Sequence, residues 1–341
     1  MLNLNTAMKI IFLAVLTIFM NTLVSAHIFP IFTFKSDTTK ISSSKDEKAR
    51  LKFFEILQLQ NYEPNLIGYT FDSDDKPFLD FTFSASTRIS PFNYLIKLIP
   101  PLHRPDLQLR FAFTVRFGQY IGTRNSNPVI EKRFNPYLFL QFSPKNKNNR
   151  YAIQTGYGHE SNGQSIDDSL TFFSIASLPN NNLNQTKDKI SRGWDYIALS
   201  FVANQLPKER SKLIFEESIS LKYFLDNGLM QGQKEEYNSW ESDWSGPDYS
   251  RNKINGLVFS ATCFIDSNMI NKLQVSYETG ITKPFSNSSI VFTAVVKFGN
   301  VPFSISYRYG YAGDLAQFGK LNNSFNISVI IPSFESYNGK K

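Results

Sequence analysis

From Asn65 onward, apolar and polar residues alternate in a series of short segments. The clearest is Leu107–Phe117, where every second residue is Leu, Phe or Val and the residues between are polar or small. A period of two places the apolar side chains on one face of a β-strand and the others on the opposite face. The alternation therefore predicts a chain of two-faced strands, and it limits the fold to sandwiches and barrels.

The same alternation recurs along most of the chain. It covers 79–86, 273–277, 290–298, 303–309 and 325–331, and apolar stretches lie near 65–71, 135–143, 151–159, 194–203, 213–225 and 255–265. Together these segments predict about 12 strands. An even number of alternating strands rich in aromatic residues is typical of an antiparallel transmembrane β-barrel, in the all-β class.

A soluble β-sandwich would also alternate, and the connections distinguish the two folds. Gly299-Asn300 predicts a two-residue turn, whereas 163–191 and 226–253 predict long polar loops. Short turns at one end and long loops at the other are typical of barrels in the outer membrane. Cys263 is the single cysteine, so no intramolecular disulfide can stabilise the chain. The barrel is the favoured interpretation, because closure pairs every strand edge.

The N-terminus has the features of a secretory signal peptide over 1–26. Lys9 precedes an apolar run from Ile10 to Val24, and Val24-Ser25-Ala26 then supplies the small residues expected just before cleavage, near His27. A membrane anchor is the alternative, but the run is short for a spanning helix. Residues 27–60 are predicted to form a short periplasmic arm or plug, and 61–341 the barrel domain. The expected location is the outer membrane of a Gram-negative bacterium.

The formal net charge is +7, with lysines and arginines spread along the chain. Nucleic-acid binding is not predicted, because no basic stripe interleaved with aromatic residues is present. The charges fit either solvated loops or attraction to anionic lipid headgroups.

His159 and Ser161 are the first candidates for chemistry. They lie two residues apart at the end of a predicted strand, so both side chains belong to the same face. There the imidazole can take the serine hydroxyl proton, which nucleophilic acyl transfer requires. A hairpin centred near Ser177 would bring Asp195 opposite His159, where its carboxylate could orient the imidazole. By itself the pair is a weak motif, and a structural histidine and a solvated aspartate are the alternatives.

These residues belong to a longer pattern. Tyr157-x-His159-x-Ser161-Asn162-Gly163, followed by Ser191-Arg192-x-Trp194, resembles the active-site signature of the outer-membrane phospholipase A family, the detergent-resistant bacterial phospholipases A(1). Weaker similarities occur in the same order at Ser126-x-Pro128, 135–140, Tyr69-Thr70 and 309–315. The resemblance covers roughly 60–332 and implies a calcium-dependent acyl hydrolase with phospholipase A(1), phospholipase A(2) and lysophospholipase activity.

The resemblance also implies roles for individual positions. Ser161 matches the nucleophile, His159 the general base, and the Gly163 amide the oxyanion donor. Ser126 and Ser191 match hydroxyl ligands of Ca²⁺, and Gln164 matches a position that supplies a backbone carbonyl. Oxygen ligands of this kind suit a hard cation. The family acts as a homodimer with calcium between the subunits.

Some features depart from the family. Asp195 lies where the family has an asparagine, the loop 163–191 is longer, and the chain continues beyond its last predicted strand to Lys341. The glutamine that supports pairing in the family has no clear counterpart near Val115–Tyr120. The hypothesis from the sequence is a phospholipase that releases fatty acid and lysophospholipid. The alternatives are a non-catalytic barrel, as a narrow pore or adhesin, and a degenerate homologue.

Overall fold

The computed structural model describes residues 60–73, 77–89, 107–121, 129–143, 151–179, 183–204, 213–230, 250–267, 269–313, 315–316 and 318–331. Within these ranges the chain forms a closed antiparallel barrel of twelve strands, so the predicted fold class is confirmed. The strands are β1 (Asn65–Asp72), β2 (Phe78–Arg88), β3 (Leu107–Gln119), β4 (Ile130–Phe142), β5 (Tyr151–Ser161), β6 (Gly193–Asn204), β7 (Leu213–Phe224), β8 (Gly256–Ile265), β9 (Ile270–Gly280), β10 (Ser288–Phe298), β11 (Val301–Gly310) and β12 (Asn322–Ile331).

Each strand pairs with its neighbour in the chain, and β1 closes the barrel against β12 from the pair Asn65–Ile331 to the pair Asp72–Ser324. The predicted two-residue turn is present at Gly299-Asn300, where Gly299 has a φ of 61°. Long connections over 162–192 and 225–255 lie at the opposite end, which is called the loop end below. The connection over 89–106 is an exception, because it is long and lies at the turn end.

In the described parts of the long connections, the chain forms three short helices. They are α1 (Ser169–Ala176), α2 (Leu183–Lys187) and α3 (Arg251–Ile254). The loop 163–191 was predicted as a polar loop, and its described part instead contains α1, α2 and a small buried cluster of Ile166, Phe172 and Ile190. None of the helices in the described ranges is long and apolar enough to cross a membrane.

Apolar side chains cover the outer face of the barrel. Large apolar residues at alternate positions are exposed on nearly every strand, for example Tyr69, Phe83, Leu138, Leu199, Leu221, Phe292, Tyr307 and Ile327. The neighbouring positions along the same strands point into the lumen and are mostly polar, as Thr70 and Ser84 are. An apolar exterior around a polar interior is the arrangement of a transmembrane barrel.

Ion pairs and aromatic rings fill the lumen. Arg116 contacts Asp80 at 2.7 Å, and Arg308 contacts Glu278 at 3.0 Å. Tyr62, just before β1, lies inside the barrel with its ring centroid 5.5 Å from that of Phe139. Gln60 pairs with Ser86 on the inner face of β2. The chain that enters β1 therefore occupies part of the lumen.

Several predictions concern residues outside the described ranges. The signal peptide over 1–26 and nearly all of the arm over 27–60 lie there. So do Ser126, Asp314 and the C-terminal 332–341. These remain predictions from the sequence.

Candidate active site

β5 brings His159 and Ser161 to the outer face of the barrel at the loop end. In the β4–β5 pair, Tyr157 lies opposite Leu138, whose side chain is exposed on the exterior. His159 and Ser161 follow Tyr157 at steps of two, so they share its outward face. Glu160, between them, points inward and is buried. The predicted pair therefore lies on the wall that faces lipid rather than in the lumen.

Asp195 on β6 lies directly opposite His159, and the β5–β6 register also pairs Ser161 with Gly193. The connection is thus centred on Ser177, as the hairpin prediction required. Nδ1 of His159 is 2.6 Å from Oδ1 of Asp195, and the side chains are 19% and 0% exposed. A carboxylate in this position fixes the imidazole tautomer and directs Nε2 away from β6.

The second oxygen of Asp195 has its own donors, which sequence analysis did not identify. The hydroxyl of Tyr157 donates to Oδ2 of Asp195. The amide of Met230 donates to the same oxygen at 2.7 Å, and the amide of Leu229 donates to the Tyr157 hydroxyl at 2.7 Å. The spacing of Tyr157 and His159 already placed them on one face. The contacts from 229–230 come from a distant loop, and no local pattern in the sequence predicts them.

Ser161 and His159 make no hydrogen bond to each other among the residues that the structure describes. Such contacts are often long in ligand-free enzymes and shorten when substrate binds. Gly163, two residues after the serine, has a φ of 54°, in the left-handed region that favours glycine. Its amide donates no hydrogen bond within the described ranges, so it is open to an acceptor beside Ser161.

Asn162 closes the base of the loop that follows the site. It is buried, its Nδ2 donates to the Ile190 carbonyl at 2.8 Å, and its Oδ1 accepts from the Arg192 amide at 2.8 Å. The amide of Gln164 also donates to Oδ1, at 3.4 Å. This residue therefore ties the end of β5 to the start of β6 and fixes the backbone on both sides of Gly163.

Two of the proposed calcium ligands, Ser191 and Gln164, lie near this base, whereas Ser126 belongs to the residues outside the described ranges. The Ser191 amide donates to the carbonyl of Ile166 at 2.6 Å. Since Ile166 is two residues after Gln164, Ser191 lies beside the Gln164 segment. The side chain of Gln164 donates to the carbonyl of Val129, so it points toward the β3–β4 connection that contains Ser126. A serine hydroxyl and backbone carbonyls are neutral oxygen donors, which suit Ca²⁺. No group of three or more His, Cys, Asp or Glu residues that could hold a metal occurs in the described ranges.

A charged cluster lies behind the site, on the lumen side of the wall. Glu160 is within 3.2 Å of Arg133, 3.2 Å of Lys222 and 3.1 Å of Arg251. The guanidinium of Arg251 also stacks near Trp194, 5.0 Å from the ring centroid. Burial lowers the pKa of Arg251 to about 10, and the charge of Glu160 opposes that shift. The cluster links β5 to β4, β7 and α3 on the lumen side, directly beneath His159 and Ser161.

Arg192 connects the site to the opposite side of the barrel. Its guanidinium donates to the Ala316 carbonyl at 3.1 and 3.2 Å and lies 5.0 Å from the ring centroid of Phe318. Both partners belong to the β11–β12 connection, which also contributes the buried Leu315. The segment 309–315, one of the weaker similarities in the sequence, thus leads into a connection that packs against the start of β6.

The fold and its apolar exterior define a twelve-stranded transmembrane barrel of the outer-membrane type. No protein-family model matches the sequence, and no curated protein matches it. Outer membrane phospholipase A from Escherichia coli is a similar solved structure, with a TM-score of 0.53, 14% identity, and coverage of 80% of this chain and 91% of that chain. The calcium-bound dimer of the Salmonella typhi outer membrane phospholipase is also similar, with a TM-score of 0.54, 15% identity, and coverage of 83% and 96%. The chain therefore has a fold like that of outer membrane phospholipase A.

Proposed function

We propose that this protein is a calcium-dependent phospholipase of the outer membrane, which hydrolyses acyl esters and releases fatty acid and lysophospholipid. The observation that supports this most is the 2.6 Å contact between His159 and Asp195 on the outward face that Ser161 shares. A histidine oriented by a carboxylate, next to a serine on a lipid-facing wall, is suited to an ester that stays in the bilayer.

The proposed reaction begins when His159 Nε2 accepts the Ser161 proton as Oγ attacks the ester carbonyl carbon. The Gly163 amide stabilises the negative charge that develops on the carbonyl oxygen. His159 then donates its proton to the lysophospholipid oxygen as the ester bond breaks, which leaves the acyl group on Ser161. Water, deprotonated by His159, attacks this acyl-enzyme, and fatty acid leaves with Ser161 restored. Asp195 keeps the tautomer in place and offsets the charge of the imidazolium.

The metal assignments belong to the proposal. Ser191, the backbone carbonyl of Gln164 and Ser126 would hold the calcium ion. When bound, calcium would supply positive charge near the developing oxyanion, which is usually a large catalytic contribution. Asn162 would hold the Gln164 and Ser191 segments at a constant separation. Assembly as a homodimer with calcium at the interface is part of the same proposal, as are phospholipase A(2) and lysophospholipase activity.

The test is fatty-acid release from mixed phospholipid micelles by the purified, folded protein. Ser161→Ala is compared with Ser286→Ala, which removes an exposed hydroxyl in another connection at the loop end. We expect release that needs calcium, stops with a chelator, disappears in Ser161→Ala and persists in Ser286→Ala. If the folded protein releases no fatty acid at any calcium concentration, the non-catalytic barrel is the better interpretation. Release that survives Ser161→Ala would reject the assigned nucleophile.

A further inference from the structure

Asp195 poses a physical problem, because it is a carboxylate on the outer wall of a membrane barrel. Its side chain is 0% exposed, so water does not solvate it. A charge at a lipid-facing position is costly unless partners stabilise it. Oδ1 contacts the imidazole of His159, whereas Oδ2 accepts from the Tyr157 hydroxyl and from the Met230 amide.

The segment Gly228–Met230 folds back over this carboxylate. Gly228 lies so close that a Cβ there would overlap the Asp195 carboxyl group. A residue with a side chain would therefore prevent the approach. The backbone then continues so that the Leu229 and Met230 amides reach Tyr157 and Asp195. The side chains of Leu229 and Met230 point away and are 90% and 60% exposed, which suits a surface in contact with lipid.

We propose that Tyr157 and Gly228–Met230 form a carboxylate clamp, a set of positioning residues that holds Oδ2 of Asp195 so that Oδ1 faces His159, and that screens the charge from the bilayer. The proposal rests on the proposed function for its catalytic consequence. Its structural basis does not depend on that function, since the Tyr157 hydroxyl and the Met230 amide donate to Asp195 and the Leu229 amide donates to Tyr157.

The clamp distinguishes a carboxylate from an amide. Both oxygens of Asp195 act as acceptors, Oδ1 toward His159 and Oδ2 toward Tyr157 and Met230. In an asparagine one oxygen would become an NH₂ group, which would face either the Met230 amide or the imidazole Nδ1–H. Two donors would then meet, and a buried donor without an acceptor is costly. The clamp thus explains how this chain can use an aspartate where the family that it resembles has an asparagine.

Tyr157→Phe removes the hydroxyl and leaves the ring, and Tyr223→Phe is the matched control because Tyr223 is an exposed tyrosine on β7. We expect kcat to fall about 10- to 100-fold in Tyr157→Phe, as for loss of a hydrogen bond to a charged group, with a smaller change in KM. Tyr223→Phe should change neither property.

Asp195→Asn supplies a second, coupled test. We expect it to lower kcat strongly, and we expect Tyr157→Phe to add little in the Asp195→Asn background. Such non-additivity is the signature of two residues that act on one another. If the losses of Tyr157→Phe and Asp195→Asn simply multiply, Tyr157 does not act through Asp195 and the clamp is rejected.

NMR of the His159 Nδ1–H proton tests the clamp without any need for activity. The chain has three histidines, so assignment requires replacing only the other two, at 27 and 103. Among the described residues, Asp195 contacts the imidazole and Tyr157 contacts Asp195; Asp226 belongs to the β7–β8 connection, and Glu160 with its cations lies on the lumen side. We expect the Nδ1–H resonance to move further downfield in Tyr157→Phe, because a carboxylate with fewer donors accepts more strongly from the imidazole, and to move upfield in Asp195→Asn. An unchanged resonance in Tyr157→Phe would overturn the clamp, whereas an inactive wild-type protein with these shifts would overturn the phospholipase proposal alone.

Discussion

His159 and Asp195 face each other across the β5–β6 pair, with Nδ1 of the imidazole 2.6 Å from Oδ1 of the carboxylate. The contact lies on the outer wall, and the carboxylate has no exposure to solvent. A catalytic histidine in this setting depends on one carboxylate for its tautomer and for its charge balance.

Asp195→Ala should remove the orienting partner of the imidazole. We expect kcat to fall on the order of 10⁴-fold with little change in KM, because the carboxylate is fully buried and contacts His159 instead of the outer surface. Initial rates of fatty-acid release over a range of lipid concentrations give both constants. Asp226→Asn, which removes an exposed carboxylate from the β7–β8 connection, is the control. An equal loss in Asp226→Asn would point to general charge effects instead.

Gly228→Ala should displace the segment Gly228–Met230 from its position over Asp195. The added methyl group would overlap the carboxyl group, so the 228–230 segment must move outward and lose its two amide contacts. We expect lower kcat and faster amide exchange at 229 and 230. Gly313→Ala is the control, since a Cβ there meets its nearest atom at 3.6 Å, an ordinary contact. Unchanged kinetics in Gly228→Ala would mean that the segment has no part in positioning Asp195.

Asn162→Ala should loosen the loop between β5 and β6. The change leaves the Ile190 carbonyl and the Arg192 amide without their buried partner, at a cost of about 1–3 kcal/mol for each unsatisfied group. We expect faster proteolysis within 164–190 and a higher calcium concentration for half-maximal activity. Thr171→Ala, in α1 of the same loop, tests whether any change in the loop has this effect. The assignment fails if Asn162→Ala leaves both measurements at wild-type values.

Glu160→Gln should destabilise the barrel. Arg133, Lys222 and Arg251 would keep their charges and lose the carboxylate that all three contact, and breaking a buried ion pair costs about 3–5 kcal/mol. Urea unfolding in detergent micelles, followed by tryptophan fluorescence, measures the change in the free energy of unfolding. Asp266→Asn, at an exposed turn, should leave that free energy unchanged. A Glu160→Gln barrel as stable as the wild type would show that the cluster contributes no net stability.

The lumen should not conduct ions freely. Tyr62, Tyr137 and Phe139 stack within it, with centroid separations of 4.8–6.0 Å, and ion pairs occupy the space around them. We therefore expect no sustained conductance from the folded protein in planar bilayers. Tyr62→Gly, which removes the ring contributed by the segment before β1, is the variant most expected to conduct. Open-pore conductance of the wild-type protein would favour the pore alternative.

The sequence by itself determined the barrel to a large extent. Alternation with a period of two requires strands with one apolar face, and the pattern over Leu107–Phe117 leaves no helical alternative. The number of strands, the Gly299-Asn300 turn and the shared face of His159 and Ser161 follow from local patterns, because each depends only on neighbours in the chain.

The pairing of His159 with Asp195 was predictable only in part. The prediction depended on the assumption that the connection between β5 and β6 is centred near Ser177, and the register of the two strands agrees with that centre. The internal structure of that connection was not predicted: Asn162 ties its ends together, and Ile166, Phe172 and Ile190 pack beneath α1. Contacts of this kind depend on how a loop folds back on itself, and sequence spacing does not report that.

Only the tertiary structure decided what surrounds the carboxylate. The Met230 amide donates to Asp195 from 35 positions away in the chain, and the Leu229 amide donates to the Tyr157 hydroxyl. Both reach the site because the segment Gly228–Met230, after β7, lies over the carboxylate. Nearly every residue has a backbone amide, so the residue types do not predict which amides donate to the site. The sequence determined which face the site occupies, because side chains alternate along a strand. The fold determined which donors meet there, because barrel closure and loop packing bring distant segments together.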